Sequence, residues 1–222
     1  MPTLAQRVSR ELLPFVLQPA QYIGHEVNQL VGEGDFQQAE LTMAVAFPDA
    51  YEVGMSHLGS QILYWIANHV PGVCAERVYC PRVDAERVMR DKGIDLFTWD
   101  TRQPVRTVDV LGVSLQYELI GTNLLTMLDL AGIPLRSAER TQGHPIVLAG
   151  GPLADNPEPL AEFLDLVFLG DAEPRLEAML EAFKQCKRQC LPRRKTIERM
   201  VEQVDCLYAP ALYDATYNPD NT

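Results

Sequence analysis

The chain has 222 residues, of which 47% are hydrophobic and 22% charged, and this composition is typical of a globular protein with a sizeable core. Its 30 acidic residues outnumber its 19 basic residues, and the resulting formal net charge of −11 makes nucleic acid an unlikely principal ligand. Because the sequence contains no apolar run of membrane-spanning length and no signal-peptide pattern, we expect a cytoplasmic protein without a membrane partner.

The chain before residue 41 is predicted to form a short helix and an extended arm. Leu4–Leu13 is amphipathic, and Pro14 and Pro19 interrupt the pattern that follows. From Leu41 onward, strand-like and helix-like patterns alternate. This alternation is typical of an α/β protein with a parallel sheet and helices on both of its faces.

The first predicted unit is a strand over Leu41–Phe47, a loop over Pro48–Gly59 and a helix over Gln61–Val70. The other predicted strands are Glu76–Tyr79, Ile94–Trp99, Val108–Leu115, Ile146–Ala149, Leu164–Leu169 and Leu207–Tyr208. The other predicted helices are Asp84–Lys92, Tyr117–Leu130, Arg175–Lys187 and Thr196–Val204.

Three loops that follow predicted strands contain residues able to bind a ligand: Pro48–Gly59, Ser114–Gly121 and Gly150–Asn156. The carboxyl ends of parallel strands meet at one edge of a sheet, where ligands bind. We therefore expect one crevice to be shared by Asp49, Glu52, His57, Ser114, Gln116, Glu118, Gly150 and Gly151.

His57 and the Gly150-Gly151 pair each have two interpretations. A histidine after a strand can ligate a metal or transfer a proton, or it can be an ordinary hydrogen-bonded loop residue. A glycine pair can let the backbone approach a ligand, or it can form a tight turn. The GxGxxG and GxxxxGK[ST] motifs are absent, which argues against a dinucleotide or P-loop site.

Two further patterns indicate little chemistry. Ser114 could form a triad with His57 and Asp49, but it lacks the G-x-S-x-G nucleophile elbow. The spacing from Cys186 to Cys190 begins like the CxxxCxxC motif of a 4Fe–4S cluster, yet the third position is Arg193.

The five cysteines are odd in number and scattered, so we expect reduced thiols. A basic stretch over residues 184–199 is either a solvated helix and linker, or a contact surface for a further domain or RNA.

Five motifs follow one another along the chain: PAQYIGHEVN, AFPDAYEVGMSHLGSQILYWIAN, LGVSLQYELIGTNLLTMLDLAGIPL, VLAGGPLADNPEPLAEFLD and LGDAEP. In this order they resemble the N-terminal region of radical S-adenosylmethionine (radical SAM) proteins that carry a cobalamin (B12) binding domain. The resemblance implies a Rossmann-like (flavodoxin-like) cobalamin-binding domain over residues 41–190. It also implies an N-terminal helix and arm over residues 1–40 and a tail or linker over residues 191–222 toward a radical SAM domain.

The resemblance implies that cobalamin lies at the carboxyl edge of the sheet, with its nucleotide tail between strands. Ser114 and Leu115 match the serine-leucine element beside that tail, and Gly150-Gly151 match the glycine pair of its pocket. The expected cofactor-binding residues, none of them catalytic or metal-ligating, are Asp49, Tyr51, Glu52, Met55, Ser56, His57, Ser114, Leu115, Gln116, Gly150, Gly151 and Pro152.

The chain departs from the family pattern in two places. The axial-ligand motif D-x-H-x-x-G is not met, because Met55 stands two residues before His57 and Gly59 only two after it. The chain also contains no CxxxCxxC motif. The 4Fe–4S cluster and S-adenosylmethionine are therefore expected only in a barrel domain outside this chain, either in cis or as a separate subunit.

These observations leave three hypotheses. The first is a cobalamin-binding module of a radical SAM enzyme of unknown substrate, which is not catalytic on its own. The second is a degenerate Rossmann-like domain that serves as a structural or interaction module without cobalamin. The third is a small-molecule enzyme whose acid–base groups are Asp49, Glu52, His57 and Glu118.

Overall fold

The structure of the protein is a computed structural model that describes residues 2–214. The predicted polar end TYNPDNT, residues 216–222, lies outside the described residues. One sheet contains β1 (Leu41–Phe47), β2 (Val73–Tyr79), β3 (Val110–Ser114), β4 (Ile146–Gly150), β5 (Leu166–Phe168) and β6 (Leu207–Tyr208).

The strand order is β2-β1-β3-β4-β5-β6, with the first five strands parallel and β6 antiparallel to β5. The chain passes from β2 back across β1 to β3, so the topological switch point lies between β1 and β3. This order is that of a flavodoxin-like sheet, and the predicted α/β, Rossmann-like fold class is confirmed.

The α-helices are α1 (Leu4–Arg7), α2 (Asp35–Gln38), α3 (Tyr51–Ser56), α4 (Leu58–His69), α5 (Val83–Lys92), α6 (Gly121–Leu130), α7 (Leu176–Arg188) and α8 (Arg193–Gln203). A π-helical turn over Val8–Leu12 extends α1. Short 3₁₀ helices cover Leu13–Phe15, Pro19–Tyr22, Val105–Thr107, Glu118–Ile120, Ser137–Glu139, Pro152–Asp155, Glu158–Phe163 and Pro210–Leu212.

Side chains alternate between two apolar cores, as the pleat of a strand requires. In β3, Leu111 and Val113 belong to the core that also contains α5, α6 and the N-terminal helical segment. Val110 belongs to the opposite core, beneath α4, α7 and α8. Both faces of the parallel sheet are therefore covered, which explains why its strands read as nearly continuous apolar runs.

The N-terminal segment packs onto the sheet. Val8, Leu12 and Tyr22 are buried in the same core as α5 and α6. Further along the arm, the indole Nε1 of Trp99 donates a hydrogen bond to the backbone oxygen of Gln21. At the other end of the described chain, α8 and β6 lie within the region predicted as a tail. Even so, α8 and Leu207 of β6 belong to the core beneath α4 and α7, and β6 pairs with β5 in the sheet.

Two element predictions differ from the structure. Ile94–Trp99 was predicted as a strand, and this is wrong, because its only described pairing is an isolated bridge between Phe97 and Pro104. Its apolar side chains are nevertheless buried, and the N–H of Trp99 donates to the backbone oxygen of Arg77 at 2.8 Å, so the segment covers the outer edge of β2.

The second difference is the predicted loop Pro48–Gly59, which is largely helical because α3 spans Tyr51–Ser56 and α4 begins at Leu58. The two helices are separated only by His57, whose backbone is extended. The segment was predicted as a loop because it contains glycines, but Gly54 is required for close packing and not for a turn. A Cβ on Gly54 would lie 2.4 Å from the ring of Tyr79.

Candidate functional site

A cleft of about 280 Å³ lies over the carboxyl halves of the central strands, between the sheet and helices α4 and α7. Its floor comes from the sheet and its walls from the two helices and the carboxyl-end loops. The residues that line it include Met43, Val45, His57, Gly59, Leu63, Gly112, Ser114, Gln116, Leu148, Gly150, Gly151, Pro152, Phe168, Gly170, Asp171, Glu173, Leu176 and Met179.

The cleft exists because this part of the sheet carries few side chains. Gly112 and Ser114 alternate along β3 on the same face as Val110, and Ser114 pairs with Gly150 of β4. Toward the amino ends of the same strands, Val110 and Ile146 fill the space with branched side chains. The change from branched to small residues thus opens a cavity at the edge where α/β proteins bind ligands.

His57 forms the N-terminal cap of α4. Its Nδ1 atom accepts a hydrogen bond from the backbone N–H of Ser60 at 3.1 Å and lies 3.0 Å from the Oγ of the same serine. Because an Nδ1 that accepts from an N–H carries no proton, the neutral ring has its proton on Nε2. Burial lowers the pKa of His57 below its ordinary value, which keeps the ring neutral near pH 7.

Gln116 lines the cleft together with His57 and Ser114. Its Nε2 donates to the Oγ of Ser114 at 2.8 Å. The same side chain opposes the effect of burial on the pKa of His57, because it favours the charged ring. Gln116 and Ser114 thus form a hydrogen-bonded pair at the cleft mouth, near His57.

The glycine pair combines the two interpretations that the sequence allowed. Gly151 has φ 102° and ψ 178°, a region that only glycine adopts readily, and a Cβ there would lie 2.6 Å from the backbone oxygen of Leu115. Gly151 therefore serves the turn. Gly150 lies at the end of β4, lines the cleft and would meet only Phe168 at ordinary contact distance.

Two carboxylate side chains lie at the mouth of the cleft. Asp171 and Glu173 follow β5 and are both exposed. Among the residues that the structure describes, neither forms an ion pair. Unneutralised carboxylates repel an anion, so the mouth disfavours ligands that carry several phosphate groups.

Half of the predicted cofactor-binding residues line the cleft: His57, Ser114, Gln116, Gly150, Gly151 and Pro152. Leu115 does not, because its side chain is buried in the core on the opposite face of the sheet. Asp49 lies nearby, where its carboxylate accepts hydrogen bonds from the Tyr117 hydroxyl and, at 2.7 Å, from the N–H of Ala50. It links the loops after β1 and β3 without lining the cleft.

The remaining predicted residues lie on α3 and point elsewhere. The Tyr51 hydroxyl donates to Glu26 of the arm, and the Tyr79 hydroxyl donates to the sulfur of Met55 at 3.3 Å. Glu52 and Ser56 are exposed. The Glu52 carboxylate pairs with Arg82 at 2.7 Å, and the Ser56 hydroxyl donates to backbone oxygens of its own helix.

Sequence reasoning missed several residues of the cleft. Met43 and Gly112 lie within strands, and Gly170, Asp171 and Glu173 follow β5. A signal for each group is present in the sequence. A glycine inside an apolar strand often marks a close approach by a ligand or another chain segment. The stretch after β5 is a fourth carboxyl-end loop, equivalent to the three that were considered.

A larger groove of about 650 Å³ lies at the amino ends of β1, β3 and β4, near the end of α7 and the start of α8. Its cations are engaged by carboxylates. Lys187 pairs with Asp109 at 2.6 Å, and Arg193 pairs with Asp165 at 2.6 Å. Because its cations are neutralised and it lies away from the switch-point edge, the smaller cleft is the better candidate site.

Within residues 2–214, no three histidine, cysteine or carboxylate side chains are grouped closely enough to hold a metal ion. No helix in this part of the chain is long and apolar enough to cross a membrane.

Comparison with known protein families identifies the family of this chain. The family described as "Radical SAM proteins, N-terminal" matches residues 59–210, from the first turn of α4 to the end of the sheet. The chain belongs to this family. No curated protein matches the chain. The matched region includes the cleft residues Ser114, Gly150 and Glu173.

Proposed function

We propose that this radical SAM N-terminal domain is a cofactor-carrying module that binds cobalamin in the cleft. The observation that carries the proposal is the patch of small residues formed by Gly112, Ser114 and Gly150. The residues of this patch carry no bulky side chains of their own over the strand backbone at the switch-point edge, which allows a flat aromatic ring to lie there. Membership of the family supports the link to radical SAM enzymes.

The charges at the cleft favour cobalamin over the usual ligands of flavodoxin-like folds. Asp171 and Glu173 would repel the phosphates of a nucleotide or a flavin nucleotide. Cobalamin has one phosphodiester, whose negative charge is offset by its cationic cobalt centre. The apolar floor of Val45, Leu148 and Phe168 suits the aromatic part of its nucleotide tail.

The hydrogen bonds of His57 argue against a role as cobalt ligand. A metal-bound imidazole needs an unprotonated nitrogen that faces the metal, and its other nitrogen usually donates a hydrogen bond. In this structure Nδ1 accepts from the Ser60 N–H, which places the proton on Nε2. We therefore propose that cobalamin is held without a bond from His57 to cobalt, and that His57 and Gln116 form one rim of the cleft.

When bound, cobalamin supplies methyl transfer or radical chemistry at cobalt. The residues of this chain bind and orient the cofactor and shield it from water. Val45, Leu148 and Phe168 provide the buried floor, and Ser114 and Gln116 offer hydrogen-bonding groups at the mouth. Cleavage of S-adenosylmethionine at a 4Fe–4S cluster is assigned to a radical SAM barrel, in cis or as a separate subunit.

The test is retention of a corrinoid by the purified chain. Mixed with hydroxocobalamin and desalted, the wild-type chain should keep the visible absorbance of the corrin at micromolar concentration. Ser114→Leu fills the cleft and should abolish retention. Ser56→Leu makes the same change on exposed α3, outside the cleft, and should retain the corrin. Loss of the absorbance from the wild-type chain on desalting would refute the proposal.

A structural module without cobalamin is the second candidate. It is favoured by the side chain of Met43, which occupies part of the cleft floor, and by the unsuitable tautomer of His57. Under this alternative, Ser114→Leu leaves the function of the domain unchanged. The same desalting experiment distinguishes the two proposals, because only the first requires wild-type chain and corrin to remain together.

A further inference from the structure

The methyl group of Met43 occupies the space that a side chain at position 112 would fill. A Cβ built on Gly112 would lie only 2.4 Å from the Cε of Met43. Met43 is on β1 and is buried, and the direct neighbour of Gly112 across the strand pair is Val45. Met43 therefore reaches diagonally across the sheet to cover the one glycine in the middle of a central strand.

A glycine at position 112 costs stability that another pair of residues would avoid. A glycine inside a strand weakens it, because it has no side chain to bury and loses more backbone entropy on folding. An alanine or valine at position 112 with a smaller residue at position 43 would fill the same space. Methionine, by contrast, is unbranched and has three rotatable bonds, so its end can leave a site without movement of the backbone.

We propose that Met43 is a movable plug that sets how deeply a planar group enters the cleft, and that the backbone at Gly112 is the surface against which this group lies once Met43 has turned aside. The inference rests on the proposed corrinoid function and deepens it. It assigns specificity for the nucleotide tail to Met43 and Gly112. It predicts that these two residues change the affinity for the tail and not the affinity for the corrin ring.

The walls of the cleft agree with such a movement. Leu63 of α4 and Met179 of α7 also line it, so the end of Met43 can move between flexible apolar side chains without exposing a polar group. Val45, directly opposite Gly112, has a short branched side chain that cannot reach further into the cleft. Among the residues that line the floor, Met43 is thus suited to exchange places with a ligand.

The experiment compares two corrinoids on four forms of the full chain. Hydroxocobalamin carries the nucleotide tail and cobinamide lacks it. The forms are wild type, Met43→Ala, Gly112→Ala and the double variant. The alanine at position 112 meets the end of the flexible Met43 side chain and, at an ordinary contact distance of 3.7 Å, the backbone oxygen of Ala44. The variant should therefore fold, but its methyl group pushes the Met43 side chain into the cleft. Met127→Ala is the matched control, because Met127 is buried on the opposite face.

We expect Met43→Ala to bind hydroxocobalamin about tenfold more tightly and Gly112→Ala about tenfold more weakly, with the double variant near wild type. Affinity for cobinamide should change less than about twofold in every form, and Met127→Ala should bind both corrinoids like wild type. If circular dichroism shows that Met43→Ala does not fold, the inference is tested by the affinities of Gly112→Ala and wild type for the two corrinoids.

Two results would overturn the inference in different ways. If the wild-type chain binds hydroxocobalamin and the variants bind it equally well, or if cobinamide responds in the same way, Met43 is not a plug for the tail and the proposed function stands. If the wild-type chain binds neither corrinoid, the proposed function itself fails and the inference fails with it.

Discussion

The Nδ1 atom of His57 accepts a hydrogen bond from the backbone N–H of Ser60 at 3.1 Å. The first N–H groups of a helix have no partner within the helix, and a side-chain acceptor at the cap position satisfies one of them. The residue that drew attention as a potential ligand thus begins α4. His57 also lines the cleft, as does Gln116.

The capping role makes a prediction about stability. His57→Ala leaves the N–H of Ser60 without its side-chain acceptor and should lower the free energy of unfolding by about 1 kcal/mol. His57→Asn keeps an acceptor at a favoured cap residue and should lower it by only a few tenths of a kcal/mol. Urea denaturation of the two variants and wild type measures the difference. Equal losses in both variants would show that the cap contributes nothing.

The same histidine predicts a dependence on pH. Burial lowers the pKa of His57 in the folded chain below its ordinary value of 6.5. The unfolded chain therefore takes up a proton first as the pH falls, so this contribution to stability is present above that value and is lost below it. Between about pH 7.5 and pH 5, wild type should lose more unfolding free energy than His57→Asn. If the unfolding free energies of the two proteins fall with pH at the same rate, the lowered pKa of His57 is contradicted.

The buried ion pair between Arg77 and Asp100 predicts a larger effect. Both side chains are almost fully buried, with the guanidinium 2.6 Å from the carboxylate and stacked over the ring of Tyr64 at 4.4 Å. Asp100→Asn leaves a buried, unpaired cation and should cost about 3–5 kcal/mol of unfolding free energy. The exposed pair of Arg90 and Asp129 is the control.

In that control, Asp129→Asn should cost less than about 1 kcal/mol, since exposed pairs are screened by water. Urea denaturation at one pH and salt concentration compares the two variants. A similar small loss in both would mean that the interior around Arg77 is hydrated.

The thiols should differ widely in reactivity. Cys190 is exposed, whereas burial raises the pKa of Cys74 and of Cys80 to about 12 and also raises that of Cys186. Because the thiolate is the reactive form, a disulfide reagent at about pH 8 should modify Cys190 first and the three buried thiols only in denaturant. Cys190→Ser should remove the fast phase. A fast phase that survives this substitution would place another thiol at the surface.

Local pattern was sufficient for much of the fold. Strand β1 was predicted with the bounds it has, and the predicted end of α5 at Lys92 is also the observed end. The next residue, Gly93, adopts the left-handed conformation that is typical of a helix terminus, with φ 61°. The segment Ile94–Trp99 was mistaken for a strand because an apolar run predicts burial, not hydrogen-bond pairing. Its burial beside β2 depends on contacts that no local pattern contains.

The site was predicted only in part for a similar reason. The carboxyl-end rule located His57, Ser114 and Gly150, because strand ends are visible in the sequence. The contact between Met43 and Gly112 depends on the register of β1 against β3, which brings together residues far apart in the chain. The residues of α3 were misplaced because a helix, unlike a loop, directs Tyr51 and Met55 toward Tyr79.

The two neighbouring glycines of the cleft should differ in how far the same substitution changes the stability of the protein. Gly151→Ala places a Cβ 2.6 Å from the backbone oxygen of Leu115 at φ 102°, so it should cost about 1–3 kcal/mol of unfolding free energy. Gly150→Ala meets only Phe168, at 3.5 Å, and should change stability by less than about 1 kcal/mol.

For binding of hydroxocobalamin by the folded proteins, Gly150→Ala should have the larger effect of the two substitutions. The new methyl group of Gly150→Ala lies beside Phe168 in the cleft and should weaken retention of hydroxocobalamin, although the protein remains as stable as wild type. Thermal unfolding and desalting of the same two preparations measure both effects. Full retention by Gly150→Ala would remove this glycine from the binding surface, and a stable Gly151→Ala would show that the turn can adopt another conformation.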